Sequence, residues 1–80
     1  MGQIKNLLPE VMGRHRIKQT ELAEVAGLRY ATLNALYNGQ TKRVDYLTLA
    51  AILGGLNTLT GQNYGVADLL VYEPAQASVD

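Results

Sequence analysis

Eighty residues, seven of them Lys or Arg and seven Asp or Glu, with 48% apolar side chains, suffice for one small globular domain at zero formal net charge. The chain has no cysteine, which excludes disulfide frameworks, thiolate zinc sites and cysteine nucleophiles, and its one histidine, His15, argues against multi-histidine metal chemistry. No apolar run approaches the roughly 18 residues that span a bilayer, and the N-terminus lacks the apolar core of a signal peptide, so a soluble cytoplasmic protein without a membrane partner is expected.

Ile4, Leu7, Leu8, Val11 and Met12 recur at the spacing of an amphipathic helix. Pro9 interrupts that stripe, because a ring inside a helix removes a hydrogen bond and clashes with the preceding turn. The first helix is therefore expected either to kink at Pro9 or to begin a residue or two before it. Gly13 and Arg14-His15-Arg16 mark its end. A second helix is predicted from about Gln19 to Ala26, with Leu22, Ala23 and Ala26 on its inner face and Gly27 as the stop. After Leu28 and Arg29 a third segment, Tyr30 to Asn38, buries Leu33, Leu36 and Tyr37 and ends at Asn38-Gly39. Residues 40–45 read as a polar, basic loop.

Asp45 is the expected N-cap of a fourth helix carrying Leu47, Leu49, Ala50, Ile52 and Leu53, weakened at its end by Gly54-Gly55. Asn57 to Asn63 reads as a loop and Asn63 as the cap of a last short helix with Val66, Leu69 and Leu70. Val71-Tyr72 is predicted extended, since Glu73 precedes Pro74 and is biased away from helix. Residues 1–73 make the domain and 74–80 a flexible tail. The five tyrosines and the leucines are assigned to the core or its margin.

Charge is unevenly distributed. Residues 1–60 carry +3 and residues 61–80 carry −3, a pattern that suits a polyanion weakly. The second and third helices share one irregularity. Their N-cap positions fall on Lys18 and Arg29, where Ser, Thr, Asp or Asn is preferred and a cation opposes the helix dipole. Glu21, three residues after Lys18, can supply half of a capping box; nothing similar serves Arg29. Two cations beside two helix N-termini would form an anion-binding surface, and phosphate is the obvious anion.

The run Lys18–Gly39 resembles the helix-turn-helix of the phage repressor and Cro (XRE-like) family. Gln19 opens the first helix of the motif, Leu22-Ala23 and Gly27 lie at the turn spacing, and Leu28, Thr32, Leu33, Leu36 and Asn38-Gly39 complete the pattern. The likeness extends over about residues 4–72. It implies an all-α, lambda-repressor-like bundle of about five short helices, without enzymatic activity or cofactor, that binds double-stranded DNA as a homodimer and regulates transcription as a repressor. Dimers of this kind place the second helix of the motif in the major groove of half-sites about 34–36 Å apart. Position by position, the resemblance implies base contacts from Arg29, Tyr30, Ala31, Asn34 and Ala35, and phosphate contacts from Lys18, Gln19, Thr32, Asn38, Lys42 and Arg43. Among the first set Asn34 suits adenine and Arg29 suits guanine.

The sequence departs from the family pattern at Arg29, where Ser or Thr is usual, and at Ala31 and Ala35, where long polar side chains are common. Asp45 sets an acid beside the backbone-binding loop. A second reading is a protein-interaction module on the same fold, such as an antitoxin or adaptor, with Val66, Leu69, Leu70, Val71 and Tyr72 as its interface or that of a homodimer. An enzyme is the least favoured class, because no nucleophile–base pair or phosphate-binding glycine loop is present.

Overall fold

The computed structural model describes residues 2–41 and 43–74, which form five α-helices and a two-stranded sheet. In chain order these are β1 (Gln3–Asn6), α1 (Leu8–Arg14), α2 (Gln19–Ala26), α3 (Tyr30–Tyr37), α4 (Tyr46–Thr60), α5 (Val66–Leu69) and β2 (Leu70–Glu73). Lys42 and residues 75–80 of the expected tail lie outside the described residues.

The first helix begins at Leu8, one residue before Pro9, so the proline occupies the first turn, where its missing N–H is no loss. Ile4 is not part of that helix. It lies in β1, 62% exposed, opposite Tyr72 of β2 in an antiparallel register that runs from Gln3↔Glu73 to Asn6↔Leu70. The extended residues expected before Pro74 thus pair with the N-terminal segment, and the Leu7 amide continues the ladder to the Leu69 carbonyl at 2.7 Å. Asn6 then makes the exit from the strand. Its Oδ1 accepts from the Leu8 amide at 3.0 Å, satisfying one of the open donors of α1, while its Nδ2 donates to the Leu36 carbonyl at 2.8 Å, near the end of α3.

The core consists of Leu8, Val11 and Met12 of α1, Leu22 and Ala23 of α2, Leu33 of α3, Ile52 and Leu56 of α4, and Leu69 of α5. The second and third helices begin and end where the sequence places them, within one residue. Gly27 has φ of +71° and closes α2 with Leu28 N–H bonded back to the Ala23 carbonyl at 2.9 Å, the double-turn cap that a left-handed residue permits.

Two expectations in the C-terminal half are corrected. α4 does not weaken at Gly54-Gly55 but runs to Thr60, so residues 57–60 are helix rather than loop. Gly55 is buried against α2: a Cβ there would lie 2.9 Å from Leu22 Cδ1 and 3.2 Å from Ala26 Cβ. The glycine is a packing residue that lets two helices approach, and the stop is Gly61, in the left-handed region at φ +71°. The cap of α5 is Gly65, not Asn63, with its amide donating to Asp68 Oδ2 at 2.8 Å. The connection before it is held by Asn57, whose side chain exchanges two hydrogen bonds with the Tyr64 backbone at 2.6 and 3.2 Å.

The assignment of all tyrosines and leucines to the core is also corrected. Tyr37 and Tyr64 are half-buried, but Tyr30 is 49%, Tyr72 61%, Tyr46 89% and Leu47 83% exposed. His15 ends α1 as a half-buried residue, with Nε2 2.6 Å from the Tyr64 hydroxyl and the two rings edge to face. No helix among the described residues is long and apolar enough to cross a membrane.

Candidate nucleic-acid interface

The two irregular caps of the sequence are real. Lys18 and Arg29 both adopt extended backbone angles at the N-cap positions of α2 and α3, and neither side chain makes a capping bond. Lysine and arginine carry no acceptor, so neither can take a hydrogen bond from the helix amides. Only the reverse half of a capping box forms at α2, where the Lys18 amide donates to Glu21 Oε1 at 3.4 Å. The first-turn amides of both helices therefore lack a side-chain cap and stand beside exposed cations, the electrostatic arrangement that favours an anion.

A hydrogen-bonded strip joins the two helices. Asn34 Nδ2 donates to Gln19 Oε1 at 2.8 Å and, more weakly, to the Tyr30 hydroxyl at 3.4 Å, while Asn34 Oδ1 accepts from Asn38 Nδ2 at 3.1 Å. Four of the residues singled out in the sequence are thus one network along α3 and across to the first residue of α2. Because the Gln19 oxygen is the engaged atom, its NH₂ end remains to donate, which is what a phosphate oxygen requires. Lys18, Gln19 and Tyr30 also line one shallow hollow, together with Thr20, Ile17 and Tyr37.

The other residues are placed less uniformly. Ala31, Thr32 and Asn38 are exposed, whereas Asn34 and Ala35 are half-buried. Thr32 and Arg43 line a second hollow between α3 and the start of α4, with Thr41, Val44, Asp45 and Thr48. Asp45 does not hang free beside that hollow. It caps α4, its Oδ1 accepting from the Thr48 amide at 2.7 Å, and hydrogen bonding by Thr48, side chain and backbone, holds its carboxyl below the ordinary value of 3.8. Its negative charge serves the positive end of a helix. Asn6 is the residue that sequence reasoning missed: it fixes the Leu36 carbonyl near the C-terminal end of α3 from a strand 30 residues away.

Two helices of eight residues, set by a glycine turn and cross-linked through Gln19 and Asn34, with α3 carrying exposed polar residues and cations at both N-termini, define a helix-turn-helix. The family model of the Cro/C1-type HTH DNA-binding domain matches residues 7–75, nearly the whole chain, and the protein belongs to that family. No curated protein and no solved structure gives a significant match. The fold and the DNA-binding class are therefore those the Lys18–Gly39 pattern implied, with a short sheet added to the bundle.

Proposed function

We propose that the protein is a cytoplasmic, non-enzymatic regulator of transcription, acting as a repressor, that binds double-stranded DNA as a homodimer and reads the major groove with α3. The observation that carries this reading is the Gln19–Asn34 bond. It fixes the backbone-binding end of α2 to the middle of α3, so that one phosphate contact sets the register of the base contacts. Arg29, Tyr30, Ala31, Asn34 and Ala35 face the bases in this reading. Lys18, Gln19, Thr32, Asn38, Lys42 and Arg43 hold the phosphates.

The chemistry of each contact follows from its surroundings. Arg29 is exposed and offers a two-pronged donor to guanine O6 and N7. Asn34 reaches adenine by giving up only its 3.4 Å bond to Tyr30, since one amide hydrogen then turns to N7 while the second lone pair of Oδ1 accepts from N6. Ala31 and Ala35 present methyl groups, which suit a thymine methyl. Zero net charge makes one protomer a weak ligand for a polyanion, and two protomers on adjacent half-sites double the phosphate contacts.

Selection from a pool of genomic fragments at two salt concentrations, wild type beside Arg29→Ala, tests the proposal. Enrichment of a short inverted repeat that the variant fails to enrich is expected. Weak binding without sequence preference, indifferent to Arg29, overturns it in favour of a protein partner.

A further inference from the structure

α3 is weakly held by its own packing. Leu33 is its one buried residue, and α2 is the one element it packs on extensively. Among the described residues, two side-chain hydrogen bonds reach it from other elements. Gln19 holds Asn34 near its middle, and Asn6 holds its far end.

The far end is closed by its own backbone. Gly39, at φ of +70°, donates its amide to the Leu36 carbonyl at 3.1 Å, and the Gln40 amide reaches the Ala35 carbonyl at 2.9 Å. A carbonyl oxygen has two lone pairs, and the second of Leu36 accepts from Asn6 Nδ2 at 2.8 Å. The oxygen of the same carboxamide accepts from the Leu8 amide at 3.0 Å. Reversing the carboxamide would set oxygen against carbonyl and NH₂ against amide, so its neighbours fix its orientation. The Asn6 backbone pairs with Leu70, and the next amide, Leu7, bonds to Leu69 at 2.7 Å, so the side chain stands on the sheet.

The two bonds of Asn6 are chemically separable. Accepting from the first turn of α1 is a task that Asp, Ser or Thr performs as well. Donating to α3 is what the carboxamide adds, and α1 has no use for it. Nor does it rescue an unpaired carbonyl, since Leu36 already accepts from Gly39. What the bond supplies is position.

We propose that Asn6 is a positioning residue for base reading, setting the tilt of α3 through the Leu36 carbonyl; this rests on α3 reading the major groove. α3 is about 12 Å long, so a tilt of about 10° at the Gly27 turn displaces its far end by about 2 Å. Binding groups must be held within about 0.5 Å of their working geometry. Asn34 and Ala35 are nearer that end and move most; Arg29, beside the turn, moves least. The sheet contributes no residue to the buried core, and its function is to be the base from which Asn6 acts.

Asn6→Ala compared with Asn6→Asp in the full chain tests this. Asp keeps the acceptor for α1 and replaces the donor with an oxygen that repels the Leu36 carbonyl, whereas Ala removes both. The readouts are melting temperature, hydrogen exchange of the Gly39 and Gln40 amides, and affinity for two duplexes. One duplex carries the sequence enriched from genomic fragments, and the other holds the same bases scrambled. Asp is expected to regain most of the melting temperature that Ala loses, yet to leave both amides exchanging several-fold faster than in the wild type. Its added charge weakens both duplexes alike, because phosphate attraction ignores sequence. The ratio of the two affinities falls about 5- to 150-fold, the equivalent of one two-pronged base contact. Reselection with Asn6→Asp keeps the guanine preference assigned to Arg29 and loses the adenine preference assigned to Asn34. Wild-type exchange rates and an unchanged affinity ratio in Asn6→Asp overturn the proposal, leaving Asn6 as a cap of α1 alone. So does a loss of both affinities in step with melting temperature, which marks a residue that only supports the fold. A wild type that enriches no sequence overturns the regulatory reading alone, because exchange reports the hold on α3 without DNA.

Discussion

Gly54 and Gly55 are adjacent glycines in the same helix, yet replacing each with alanine is expected to shift stability in opposite directions. Alanine lowers the conformational entropy lost on folding at either position, a gain of roughly 0.5–1 kcal/mol. At Gly54 the new methyl projects into open space and the gain stands. At Gly55 it lies 2.9 Å from Leu22 Cδ1, 3.2 Å from Ala26 Cβ and 3.4 Å from the Ala26 amide nitrogen. Leu22 is wholly buried, and the Ala26 backbone is held inside α2, so the methyl is accommodated only by repacking Leu22 or by moving α2 and α4 apart by a few tenths of an ångström. Overpacking of this kind costs about 1–3 kcal/mol. The helix-propensity gain is common to both variants, so their difference reports the packing term alone, roughly 1–3 kcal/mol. In a domain of this size that separates the two melting temperatures by roughly 4–24 °C. Thermal unfolding followed by circular dichroism, at a concentration low enough to keep the protein monomeric, reads it directly. If Gly55→Ala stabilises as much as Gly54→Ala, α2 does not pack on α4 at that distance, and the placement of the helix-turn-helix on its support is wrong.

Arg29→Asp should raise the melting temperature by the ordinary gain of a proper N-cap, about 0.5–2 kcal/mol, while abolishing DNA retention in a gel-shift assay; loss of both together would mean that Arg29 supports the fold. Arg16 adopts φ of +56°, with the Ile17 amide bonded to the Met12 carbonyl at 2.9 Å, so Arg16→Gly should relieve a left-handed strain and stabilise by about 1 kcal/mol in urea unfolding. The carboxyl of Asp45 is held below its usual value, so it stabilises the fold above the unfolded-state value and loses that effect as pH falls through the folded-state value. Asp45→Ala should therefore melt below the wild type at neutral pH, and the gap should narrow on acidification into the range below the ordinary carboxylate value; a gap independent of pH would assign the effect to something other than the charged cap. Tyr64→Phe removes the 2.6 Å bond to His15 and should cost about 1 kcal/mol by the same assay.

The parts of the fold that were legible in the sequence are those specified within a few residues. α2 and α3 follow from apolar spacing and from Gly27, whose left-handed angle is a local demand. The strand β1 was not legible, because Ile4 continues the helical stripe of Leu7, Leu8 and Val11, and the partner that makes it a strand, Tyr72, lies at the other end of the sequence. Gly54-Gly55 read as a weakening of the helix end for a similar reason. Its cause is the Leu22 side chain of another helix, which no window around residue 55 contains. In the candidate interface, residue types could be named from the pattern, but the bond that spends both Gln19 Oε1 and an Asn34 hydrogen joins positions fifteen apart and depends on the angle between two helices.

The local irregularities of the sequence, whether read correctly or not, separate into two kinds, and the difference carries functional information. The glycine at 55, the proline at 9 and the acid at 45 break or strain a local rule, and each is resolved by something inside the protomer: a leucine, a helix start, a pair of hydrogen bonds to Thr48. Lys18 and Arg29 at helix caps, Gly54 in the middle of a helix, and Tyr46 and Leu47 in full exposure break rules that nothing among the described residues resolves. A folded chain keeps such local costs where another molecule offsets them. The unresolved set divides by chemistry, cations with open helix amides on one side and an uncharged ridge with a missing side chain on the other. The cations with open helix amides call for a polyanion, which is the partner that the Cro/C1-type DNA-binding family supplies.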